Sequence, residues 1–167
     1  MLGAVYCPPE NSTSVIDDVY TVIYEELASI PSHIDKIICG DFNAHVSKYP
    51  DWDENCILSR SDGGLTNMSQ LDEGMIESKN TEIFIEYLNN VGCLFRKTHD
   101  TCQLNNYGIE LLTLCKANNM YLVNGRKGLD KDVGSISYIS DYKGQSLVDY
   151  LIACPKTFML IENFQFC

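Results

Sequence analysis

The run Lys36-Ile37-Ile38-Cys39 is apolar and β-branched, and it stops at Gly40-Asp41-Phe42-Asn43. Such a run packs best as a central strand buried on both faces. Polar residues at the end of a buried strand sit on a rigid mount, so this feature constrains the fold and the chemistry together. Residues alternate faces along a strand, which sends Asp41 and Asn43 one way and Phe42 into the core. A carboxylate placed there can position or deprotonate a water, or ligate a hard cation through oxygen. A carboxamide N–H can stabilise charge developing on a phosphate oxygen. Taken alone, Gly-Asp and Asn are equally ordinary turn residues after a strand.

Around this strand the pattern alternates. Residues 2–7 form a short apolar run stopped by Pro8-Pro9, which predicts a buried strand entering a turn. Residues 11–14 are helix-capping types, and Val15, Ile16, Val19, Tyr20, Ile23, Leu27 and Ile30 then recur at helical spacing up to Pro31. A helix is predicted over 108–117, with Ile109, Leu112 and Cys115 on one face and Asn118-Asn119 ending it. Residues 121–123 predict a strand. Residues 135–140 and 146–153 predict two more, joined through Tyr142-Lys143-Gly144 as a hairpin. Another element begins within 158–166. Strands alternating with helices imply α/β or α+β layers with helices packed on sheets. At 167 residues the chain suits one domain.

The stretch from 47 to 107 is the least regular. Pro50-Asp51, Asp62-Gly63-Gly64 and Asn105-Asn106 are turn signals, and residues 83–88 predict a short helix. So long a loop does not belong in a compact domain without structure of its own, so 47–95 reads as a variable or inserted region.

The net charge of −11 argues against a sequence-reading nucleic-acid binder, which needs a basic face to release phosphate counterions. A metal-dependent hydrolase survives this test, because a divalent cation can bridge an acidic enzyme and a phosphodiester. No two of the eight cysteines form a C-x-x-C pair, so the spacing argues against a zinc module. Cys39 and Cys115 read as small buried hydrophobes. His45, two residues beyond Asn43, is placed like a base but reads as a surface residue. No basic-flanked apolar leader opens the chain, and no run approaches the ~20 apolar residues of a membrane span. These features predict an intracellular setting, nucleus or cytoplasm, with free thiols.

Asp149 interrupts the apolar run from Leu147 to Ala153. A carboxylate there is costly unless it has a partner. It fits an edge strand with Asp149 in solvent, or a buried carboxylate that orients a histidine base. Tyr6 reads by composition as a core tyrosine, and Asn124-Gly125-Arg126 as a turn.

These pieces come in a particular order. Val5-Tyr6-Cys7-Pro8-Pro9 is followed by a helix and by Cys39-Gly40-Asp41-Phe42-Asn43-Ala44-His45-Val46. Then come Arg96-Lys97-Thr98, Asp100, Asn105-Asn106-Tyr107-Gly108 and Leu111-Leu112-Thr113-Leu114-Cys115. Val123-Asn124-Gly125 precedes Ser146-Leu147-Val148-Asp149-Tyr150-Leu151-Ile152. The ordered set resembles the endonuclease/exonuclease/phosphatase (DNase I-like) family, most closely its non-LTR retrotransposon endonuclease branch. It spans nearly the whole chain apart from 47–95.

The resemblance implies an α+β fold of four layers, two β-sheets face to face with helices outside. It implies Mg²⁺-dependent hydrolysis of a DNA phosphodiester, with a reverse transcriptase domain C-terminal in the parent protein. By that match Asp41 would activate the attacking water and Asn43 would hold the phosphate, both beside the metal. Asp149 would orient the catalytic histidine. Tyr6 and Ser137 would line the substrate cleft, Ser137 standing where threonine is usual. The family also carries a metal-binding glutamate before the Tyr6-Cys7-Pro8-Pro9 segment and a closing Ser-Asp-His. Residue 1 already lies at that segment, and no Ser-Asp-His occurs. The resemblance therefore implies a fragment without its outer strands, truncated at both ends and inactive by itself. A non-catalytic interaction module that kept the fold, or a phosphatase-type member of the family, are the alternatives.

Overall fold

β2 (Ile37–Asp41) lies inside the main sheet, as its isoleucine run predicts. The structure, a computed structural model, describes residues 1–10, 12, 19–53, 73–142 and 144–166. It is mixed α+β. β1 (Leu2–Tyr6) runs parallel to β2, while β6 (Asp149–Ala153) is antiparallel to β2 and to β3 (Tyr121–Leu122). The order across the sheet is β1-β2-β6-β3, and β4 (Tyr138–Ser140) pairs with β5 (Gly144–Ser146) as a separate two-stranded hairpin. The helices are α1 (Val19–Ser29), α2 (Glu73–Asn90), α3 (Asn106–Ala117) and α4 (Pro155–Leu160).

Strand alternation gives the sheet two apolar faces. Ile38, Leu122, Tyr150 and Ile152 join Tyr20 and Leu27 of α1 and Leu111, Leu114 and Cys115 of α3 in one cluster. Ile37, Tyr121, Leu151 and Ala153 join Phe84, Ile85 and Leu88 of α2, with Trp52, Leu94 and Phe158 of α4, in the other. Burying each leucine-sized side chain contributes about 1.5–3 kcal/mol, so helices on both faces are what hold this short-stranded sheet.

The differences from the sequence reading have local causes. α2 extends well beyond the predicted 83–88; among its described side chains Phe84, Ile85 and Leu88 are buried, while Ile83 and the terminal Asn89-Asn90 are exposed. Within 47–95, Asp51, Trp52, Leu88, Cys93 and Leu94 are buried in the domain core. α3 buries Gly108, Leu111, Leu112, Leu114 and Cys115 and leaves Ile109 exposed, so its inner face is rotated from the predicted one. The expected strand over 146–153 is two strands. β5 closes the hairpin, and the chain then crosses to the main sheet as β6. The predicted cap at 11–14 lies, Ser12 apart, outside the described residues, as do Val15, Ile16, Lys143 and the turn at 62–64. No helix among the described residues is long and apolar enough to cross a membrane.

Candidate functional site

Tyr6, Asp41 and Asp149 form a row across three adjacent strands: Tyr6 is the register partner of Asp41, and Asp41 of Asp149. Register partners share a face, with Cα atoms about 4.5–5.5 Å apart in antiparallel pairs. Asp41 and Asp149 are half-buried. Tyr6 is 69% exposed, which corrects the reading of it as a core tyrosine. β6 sits between β2 and β3, so Asp149 is not on an edge strand.

Beyond Asp41 the strand becomes a turn. Asn43 takes φ 46°, its backbone N–H donates to Asp41 Oδ1 at 2.8 Å, and its Nδ2 donates to Cys7 O at 2.6 Å. A carbonyl only accepts, so the amide nitrogen must face Cys7. That leaves Asn43 Oδ1 without a protein donor among the described residues. Simple alternation thus fails at Asn43, two residues past β2: an Asx turn from Asp41 sets its backbone, and its carboxamide reaches Cys7 just past the end of β1. Phe42 is fully buried, and Tyr20 of α1 donates to its carbonyl at 3.0 Å. Gly40 has no substitute here: it has φ +145°, and a Cβ would sit 1.9 Å from Val5 O.

The electrostatics follow from this crowding. Burial raises the pKa of Asp41; the Asn43 N–H opposes the rise and the charge of Asp149 adds to it. Burial, with the charge of Asp41, pushes the Cys7 thiol up to about 12.

Asp149 is held through its backbone. Ser137 Oγ accepts the N–H groups of Val148 and Asp149, each at 3.1 Å. The fully buried Asn124 pairs with β6 like a strand residue, donating to Asp149 O at 3.1 Å and accepting from Leu151 N at 3.0 Å. Among the described residues no histidine meets Asp149. His33 lines a cavity of about 620 Å³ that also includes Lys36 and Cys154, at the opposite end of β2 and β6. His99 is exposed.

His45 is not the surface residue expected. Its Nδ1 lies 3.4 Å from Asp100 Oδ2, in a pair whose side chains are 26% and 1% exposed. Cys102 joins them: one ligand atom from each of the three falls within 4.8 Å of the others. Burial and the neighbouring Asp100 carboxylate push the Cys102 thiol up to about 11. Asn105 braces this corner. Its Oδ1 accepts from His45 N and from Gly108 N, capping α3, and its Nδ2 donates to Asn43 O. Gly108 lets the helix approach, since a Cβ there would sit 2.1 Å from His45 O.

Arg126, read as a turn residue, is buried. Nε donates to Cys93 O, Nη1 to Asp51 Oδ2 and Leu122 O, and Nη2 to Asp51 Oδ1 and Leu94 O. Every guanidinium N–H is therefore used. Nothing local in the sequence marks this pair, because Asp51 is 75 residues away. No family model, no curated protein and no solved structure matches this chain.

Proposed function

We propose that this chain carries part of the catalytic face of a Mg²⁺-dependent DNA phosphodiester endonuclease of the endonuclease/exonuclease/phosphatase type, in its retrotransposon branch. The four-layer sandwich, DNA as substrate and a reverse transcriptase domain in the parent protein belong to the same proposal. The observation that carries it is the row Tyr6–Asp41–Asp149, with Asn43 turned onto its end.

The donor set fits the metal. Asp41, Asn43 Oδ1 and Asp149 offer hard oxygen atoms, the class that Mg²⁺ takes through one or two carboxylates plus substrate oxygens. Bound Mg²⁺ would offset the repulsion between an acidic chain of net charge −11 and a phosphodiester. Asp41, its pKa raised by burial, is the better proton acceptor of an attacking water. Tyr6, exposed in the same row, offers a hydroxyl to the substrate. Ser137 and Asn124 act on Asp149 through the backbone of β6, so they are positioning residues.

The test is nicking of supercoiled plasmid by the open reading frame that carries this chain. Activity should need Mg²⁺ and fall by about 10²-fold or more in Asp41→Ala and in Asp149→Ala. The 167 residues alone contain no Ser-Asp-His, and none of their described histidines meets Asp149, so they should bind Mg²⁺ without turnover. Mg²⁺-dependent nicking that survives both substitutions would sink the proposal. A folded protein that neither nicks DNA nor binds Mg²⁺ would favour the non-catalytic module.

A further inference from the structure

We propose that His45, Asp100 and Cys102 form a binding site for a zinc-class divalent cation, separate from the Asp41–Asp149 row. The three residues come from two distant segments, the turn after β2 and the loop before α3. A tetrahedral zinc centre, with N or O ligands at ~2.0–2.1 Å and sulfur at ~2.3 Å, spaces its ligands by about 3.3–3.6 Å. His45 Nδ1 and Asp100 Oδ2 already stand 3.4 Å apart. The remaining spread of 4.8 Å closes with a shift of roughly 1 Å at the cysteine or imidazole.

The carboxylate is pre-set. Asp100 Oδ1 accepts from Cys102 N at 2.8 Å and Oδ2 from Leu147 N at 3.2 Å, so it cannot swing away. The imidazole and thiol are only half-buried, and the thiol's contact with Gln145 O, at 3.9 Å, is a long one. A donor set of imidazole, carboxylate and thiolate suits zinc-like ions and not Mg²⁺ or Ca²⁺. Solvent completes the fourth position on the open side of His45, and the thiol proton leaves to solvent on binding. The cation would tie the 98–105 loop to the turn that carries Asn43, through the Asn105 bridge between His45 and Asn43. It would therefore stiffen the edge of the proposed active site without touching substrate.

The experiment titrates the reduced, metal-free 167-residue chain with Co²⁺. Thiolate-to-metal absorption should saturate at about one equivalent and be displaced by Zn²⁺. Cys102→Ser and His45→Gln, each checked for folding by circular dichroism, should abolish it. No absorption in the parent chain, or absorption that survives either substitution, overturns the site. A second measurement needs no variant. At ten times the Kd, Zn²⁺ should slow alkylation of Cys102 by about tenfold and leave the half-buried Cys39 and Cys154 unchanged. Equal rates at Cys102 with and without Zn²⁺ also overturn it.

Discussion

Asp41 and Asp149 face each other as register partners across the antiparallel β2–β6 pair. Burial raises the pKa of Asp41, and the charge of Asp149 raises it further. An acid whose folded pKa exceeds its unfolded value of about 3.9 opposes folding once ionised. Its stability contribution improves as pH falls through the folded pKa. Asp41→Asn keeps the oxygen that accepts from Asn43 N. Its melting temperature at pH 7 should therefore exceed that of the parent, with the gain vanishing below about pH 3.9. Melts across that range check it, and a lower melting temperature at pH 7 contradicts it.

Arg126→Met should be among the most damaging single changes in the chain. It leaves the Asp51 carboxylate, 1% exposed, without its bidentate partner. Breaking a buried pair in this way costs about 3–5 kcal/mol, read as a shift of the urea midpoint. Burial alone would raise the Asp51 pKa; the Arg126 guanidinium outweighs it and holds the carboxyl below the usual range. The pair's contribution is thus complete above the unfolded pKa of about 3.9 and lost as pH falls through the lower folded one. The gap between parent and variant should be widest near neutral pH and narrow as pH falls, because without Arg126 burial favours the protonated Asp51.

Asn105→Ala removes the cap of α3 and leaves His45 N and Gly108 N unpaired. A lost cap costs about 1 kcal/mol and an orphaned donor about 1–3 more, so a total of about 2–4 kcal/mol is expected. Asn105→Asp keeps both acceptor contacts but sets a carboxylate oxygen against Asn43 O in place of the Nδ2 donor, so it should recover only part of it. Chemical denaturation of the three proteins decides; equal losses in both variants would mean the Oδ1 contacts do not matter.

Gly40→Ala and Gly3→Ala should separate sharply, though both lie on paired strands. At Gly40 a Cβ would sit 1.9 Å from a backbone oxygen, on a residue at φ +145°. At Gly3 the nearest atoms are side-chain carbons at 3.7 Å, an ordinary contact. The first variant should lose about 3 kcal/mol or more and much of its soluble yield, the second within about 1 kcal/mol of the parent. Thermal melts of both suffice.

The main strands and helices were legible because their signals are local. The isoleucines of β2 mark a central strand, and Ile109, Leu112 and Cys115 mark a helix, through spacings set by backbone geometry, although Ile109 turned out exposed. The turn at Asn43 was half legible: Gly-Asp-Phe-Asn announces both a turn and a polar site, and the structure makes it both. Asp149 was noticeable as a charge inside an apolar run, although its partner strand was not. His45 was misread because its environment is built by Asp100, 55 residues away. Arg126 was misread because a turn tripeptide says nothing about the Asp51 carboxylate that arrives to meet it.

The sequence by itself determined the central strand of the sheet and the helix over 108–117, and that polar groups end that strand. Periodicity, β-branching and glycine geometry act over a few residues, so they can be read along the chain. Only the tertiary structure decided that Asp41 and Asp149 share a register, that Arg126 is sealed in the core, and that His45 meets Asp100 and Cys102. Those facts depend on which distant surfaces bury each other, and burial is set by the packing of the whole domain rather than by any stretch of it.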